Sequence, residues 1–117
     1  MSEDERLIEV RRWLQYAQED MTAAEAMLEQ PGIAPRHACW LAQQAAEKSI
    51  KAVLVFLQID FPRRHDLDAL RYLVPDGWQL KEDHPDLAEL TEWAVEQAKG
   101  VCASVTEDIT RHGYHNW

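Results

Sequence analysis

RHACWLAQQAAEKSIK, residues 36–51, has two unlike faces when read as a helix. Ala38, Ala42, Ala45, Ala46, Ile50 and, just beyond, Val53 recur at three- and four-residue steps and make one apolar stripe. Trp40, Gln44, Glu47, Lys48 and Lys51 fall on another side. On one reading, Glu47 and Lys51 are an ordinary ion pair one turn apart, contributing about 0.2–0.5 kcal/mol, and Gln44 with Lys48 is a solvated pair. On the other, an amide, a carboxylate and two amines on adjacent turns form a binding face.

Working outward, Pro35 suits the first turn of this helix, and its end, Ala52–Leu57, is apolar nearly all round, so it is expected to be buried on several sides. Upstream, Ser2 to Leu28 reads as a first helix. Leu7, Val10, Leu14, Ala17, Met21, Ala24 and Leu28 form its seam, Trp13 and Tyr16 flank that seam, and acidic residues lead the helix at the positive end of its dipole. Gln30-Pro31-Gly32 ends it. Downstream, Pro62 breaks the second helix, and His65 or Asp66 is placed to start a short third helix carrying Leu67, Leu70, Leu73 and Val74. Pro75-Asp76-Gly77 signals a turn, and Trp78 to Asp83 reads as a loop. Pro85 and Asp86 open a last helix with the seam Leu87, Leu90, Ala94, Ala98, Val101, Val105 and Ile109, which Gly113 ends. Gly100 within it costs roughly 1 kcal/mol against alanine and marks a bend or break. The expected fold is all-α, an up-and-down bundle of three long helices and a short one, in a single domain over residues 1–117.

The formal net charge of −9 repels phosphate backbones and disfavours self-sufficient nucleic-acid binding. No apolar run approaches the roughly 20 residues of a membrane span, and the acidic start MSEDERLIEV lacks a signal-peptide apolar region, so a cytoplasmic chain with no membrane partner is expected. Cys39 and Cys102 lie inside helical patterns without CxxC spacing and read as reduced, partly buried thiols. The five histidines have no matched ligand set around them, so no metal is expected, and no GxSxG, P-loop, HExxH or GxGxxG occurs. No catalytic residue and no cofactor is assigned. His65 beside Asp66, with Arg63 and Arg64 adjacent, reads either as a turn with its helix cap or as a histidine held in one tautomer.

Pro35-Arg36, Cys39, Ala42-Gln43-Gln44-Ala45-Ala46-Glu47-Lys48, Lys51-Ala52 and Phe61-Pro62-Arg63-Arg64-His65-Asp66-Leu67 together resemble the HEPN family of small all-helical domains. Trp13-Leu14-Gln15-Tyr16-Ala17-Gln18-Glu19-Asp20 resembles its first helix, and the likeness covers roughly the first 75 residues. The resemblance implies a four- or five-helix up-and-down bundle that commonly forms a homodimer. It also implies pairing with a minimal nucleotidyltransferase, in some members as toxin and antitoxin, and in some members a bound small nucleotide. The positions it marks are Arg36, Gln44, Glu47, Lys48, Lys51, His65 and Asp66, which coincide with the polar face found by spacing. Long amines and an arginine near a histidine suit nucleotide phosphates.

Two departures narrow the expectation. Ribonuclease members carry an arginine and a histidine separated by four to six residues. No arginine here has a histidine at that distance; Arg111 and His115, with three residues between them, come nearest. The rival readings are a divergent metal-independent ribonuclease using Arg111 with His115 or His65, and a plain helical scaffold. Thr91-Glu92-Trp93-Ala94-Val95-Glu96 resembles the start of a segment that in this subfamily continues into an Ala-Arg-Tyr-Pro loop. Here it passes directly into Gln97-Ala98-Lys99-Gly100.

Overall fold

Ser2 starts the first helix by accepting a hydrogen bond from the Glu5 N–H at 3.1 Å, which satisfies one of the orphan donors of the first turn. The computed structural model describes residues 2–61, 67–84 and 94–113. It holds α1 (Glu3–Glu29), α2 (Pro35–Phe56), α3 (Leu67–Tyr72), α4 (Gln79–Asp83) and α5 (Ala94–Arg111), and no strand among the described residues. The principal extents are 46 × 25 × 25 Å. The all-α bundle read from the sequence is the fold.

Helix α2 is central. Its alanines at 38, 42, 45, 46 and 52 are buried, and so are Ile50, Val53 and Leu54. Small side chains let α1 and α5 approach its backbone closely, so dispersion contacts replace the area larger residues would bury. α1 turns back along α2 through Gly32, whose φ of +87° is cheap only for glycine. It presents Val10, Ala17, Met21 and Ala24 to the core. Leu28, expected in this seam, is 50% exposed: it sits in the last turn beside residues 30–37, all exposed, and nothing closes over it.

The end of α2 is a Schellman motif. The Gln58 N–H donates to the Val55 carbonyl at 3.0 Å, and the Ile59 N–H donates to the Leu54 carbonyl at 2.8 Å. Gln58 holds the left-handed position with φ +58°, which glycine usually occupies.

Trp78–Asp83, expected as a loop, contains α4. The correction has a clear cause: α4 takes its cap from another helix. Asp108 of α5, fully buried, accepts from the Gln79 and Leu80 N–H groups, each at 2.9 Å, and from Arg111 at 2.6 Å. His112 stacks on Trp78 with centroids 4.1 Å apart.

α5 runs unbroken through Gly100, so the expected bend is absent. The glycine makes room instead. A Cβ there would stand 3.1 Å from His84 Cε1, and His84 Nε2 lies 3.0 Å from the Ser104 hydroxyl. The opening of this helix at Pro85-Asp86, and the start of α3 at His65 or Asp66, lie outside the described residues.

Candidate functional site

The polar stripe of α2 separates into two halves. In the lower half, Lys51 Nζ lies 2.6 Å from a Glu47 carboxylate oxygen, and both side chains are nearly buried, at 11% and 4% exposure. The ammonium stands over the Trp13 ring at 5.4 Å and the Phe61 ring at 5.8 Å. This is no solvated helix pair. A charge pair out of water makes the loss of either partner cost about 3–5 kcal/mol, against a few tenths for the exposed version. Lys48 is not paired with Gln44 in solvent either; it crosses to α1 and meets Asp20 at 2.5 Å. Glu47, Lys48 and Lys51 are therefore drawn together with Trp13, Asp20 and Phe61, and they tie α1 to α2.

Arg36, Trp40 and Gln44 form the upper half. Arg36 is exposed in the first turn of α2, about 22 Å along the axis from Lys51, so one small ligand does not span both. The start of α2 has no side-chain cap: Ala34 occupies the cap position and no acid lies in the first turn. Its partial positive charge is unanswered, and Arg36 adds to it. Every other described lysine or arginine except Arg11 and Arg71 is paired with a carboxylate, and Arg71 donates to the Lys81 carbonyl. Trp40, one turn beyond Arg36, is 59% exposed, and Gln44 is half-buried beyond it. His65 and Asp66 lie outside the described residues.

Trp13, Asp20 and Phe61 were named in the sequence as seam-flanking or motif residues, not as site residues. Their signal is faint, because only the antiparallel register of α1 on α2 sets them against Lys48 and Lys51. Asp108 carried a stronger signal, a carboxylate on the α5 seam between Val105 and Ile109. Among the described residues no cluster of histidine, cysteine and carboxylate side chains could hold a metal ion. Cys39 and Cys102 are both half-buried, and neither is in a disulfide. Burial pushes the Cys102 thiol up from its ordinary value, opposed in part by the Ser49 hydroxyl that donates to its sulfur.

Against known proteins, the HEPN domain matches residues 10–112. The chain belongs to the HEPN family. The match extends the likeness of the first 75 residues through the end of α5, so the α5 seam and its buried Asp108 belong to the HEPN domain too. No curated protein and no solved structure matches the chain significantly. No helix of this HEPN domain, among the described residues, is long and apolar enough to cross a membrane.

Proposed function

We propose that this HEPN domain is a non-catalytic binding module. It acts as a homodimer, pairs with a minimal nucleotidyltransferase in a toxin–antitoxin-like system, and takes a small nucleotide at the head of α2. The observation that carries the nucleotide reading is the group at that head: an uncapped helix start, an arginine with no carboxylate partner among the described residues, and an exposed tryptophan one turn on. Phosphate suits the first two, and a base stacks on the third. The nucleotidyltransferase partner and the dimer rest on the family likeness. Gln44 and Lys48, both half-buried rather than sealed, continue this side of α2 toward the protein partner.

The ribonuclease alternative needs Arg111 free. Its guanidinium instead lies 2.6 Å from the buried Asp108, on the α4 cap. That supports the non-catalytic reading, as does the absence of the spaced arginine and histidine from the sequence.

The test is recovery of the tagged full-length chain from its own cells, beside Arg36→Glu and Trp40→Ala variants, with co-purifying proteins and nucleotides identified by mass spectrometry. Both substituted residues are exposed, so the variants should melt with wild type. A nucleotide held by wild type and lost from both variants is expected, with a nucleotidyltransferase in the wild-type eluate. A wild-type chain free of nucleotide, or equal nucleotide in all three, would overturn the nucleotide site. A wild-type eluate without a nucleotidyltransferase would overturn the partner.

A further inference from the structure

On the other flank of α1 from the polar face, α1 and α5 do not close over α2. They leave an open groove of about 420 Å³, within the size range of small-molecule sites. Its floor holds Ser49 and Cys102, its walls include Leu14, and Gln18 and Thr106 line it from α1 and α5. Gln18, Cys102 and Thr106 also line a second hollow, of about 430 Å³, which continues the groove toward Lys99.

Two polar groups of the groove have capacity left for a ligand. Ser49 is 1% exposed, and its hydroxyl spends its one proton on the Cys102 sulfur at 3.1 Å. Its oxygen lone pairs remain available as acceptors among the described residues. Cys102 is held as a neutral thiol, its sulfur 3.9 Å from the Ala45 carbonyl, so the floor carries no charge. At the mouth, Arg11 is exposed and, like Arg36, has no carboxylate partner among the described residues, although the chain carries nine more negative than positive charges. Arg11 and Gln18 are two turns apart on α1, about 10 Å.

We infer that the α1–α5 groove binds a small amphiphilic anion. Its acidic group meets Arg11, its apolar body lies along Leu14 and Ala17, and a hydroxyl or amine on it donates to Ser49 Oγ. An arginine offers a carboxylate or sulfonate two parallel donors, which a lone apolar hollow would not. The site is separate from the head of α2 and does not depend on the nucleotide reading.

The probe is 8-anilinonaphthalene-1-sulfonate, an apolar two-ring body carrying one sulfonate, titrated into the folded full-length chain and followed by its fluorescence. Saturable binding at one site per chain is expected. Arg11→Glu should weaken it about ten- to a hundredfold, the loss of one charge-assisted contact with repulsion added. Thr106→Trp, an exposed position that would fill the hollow, should abolish it. Arg12→Glu, an exposed charge that pairs with Glu9 and does not line the groove, should leave it within about twofold of wild type, since it removes no contact. Absence of saturable binding would overturn the inference, including the case in which a second copy covers the groove. So would binding that survives both groove variants, or that falls equally with Arg12→Glu. Circular dichroism on each variant separates a lost site from a lost fold.

Discussion

Asp108→Ala should be among the most damaging single changes to the fold although it removes no apolar surface. The carboxylate is fully buried and is the acceptor for the Gln79 and Leu80 N–H groups, each at 2.9 Å, and for Arg111 at 2.6 Å. Hydrogen bonds to a charged acceptor contribute about 1.5–3 kcal/mol each, and a buried N–H left without an acceptor costs about 1–3 kcal/mol. Leu80 is itself fully buried, so water cannot replace the lost acceptor there. Arg111 is 51% exposed and recovers its hydration when the acid is gone, so its pair adds little. The expected cost of Asp108→Ala is about 3–5 kcal/mol. Asp108→Asn keeps one acceptor oxygen but turns an NH₂ toward the other backbone donor, and should cost about 1.5–3 kcal/mol. Arg111→Ala should cost less than about 1 kcal/mol. Urea unfolding followed by circular dichroism at 222 nm, with the slope checked for constancy, reads all three. The reasoning fails if Asp108→Ala costs under about 1 kcal/mol, or if Arg111→Ala costs as much as Asp108→Ala.

Gln58→Gly should stabilise the chain by about 0.5–1 kcal/mol, because the left-handed position strains any side chain by more than glycine's extra freedom costs the unfolded state; a lower melting temperature would contradict this. Gly100→Ala alone should be nearly neutral, with its helix-propensity advantage of about 1 kcal/mol offset by the 3.1 Å approach to His84 Cε1. In a His84→Ala background the same change should stabilise, and a double-mutant cycle showing no coupling would remove that explanation of the glycine. In a Cys39→Ser chain, Cys102 should react slowly with iodoacetamide and speed up only at a pH above the ordinary thiol range, since burial raises its ionisation. The sign for stability follows: the folded state favours the neutral thiol, so its contribution is whole below the ordinary thiol value and is lost as pH rises from there toward the raised one. A stability rising with pH through that window would refute it.

What was legible in the sequence was whatever has a local cause. Ser2 and Pro35 mark helix starts through their own backbone or side chain, and the alanine stripe of α2 follows from periodicity. α4 was not legible, because its five residues carry no capping side chain and the acid that caps them is 28 residues further on. Gly100 was misread for the same kind of reason: the penalty within a helix is local, while the histidine that needs the space comes from another element. At the candidate site, the spacing of Gln44, Glu47, Lys48 and Lys51 found the face but could not say which charges were already answered. Asp20 decides that for Lys48 and burial decides it for Lys51, and both are facts of tertiary register.

The remote cap on α4 also sets a timetable. As the chain is made, Leu80 leaves the site of synthesis 28 residues before Asp108 does. At about 5–20 residues per second the two donors wait on the order of one to six seconds for their acceptor. α1 and α2 can already pair in that interval, since the Ser2 cap of α1, the C-terminal cap of α2 and the Asp20–Lys48 and Glu47–Lys51 pairs are all made within the first 61 residues. The hairpin is thus the part of the molecule that can exist early. The other end is closed late, and a nascent chain stalled before residue 108 would carry a formed hairpin with α4 still open.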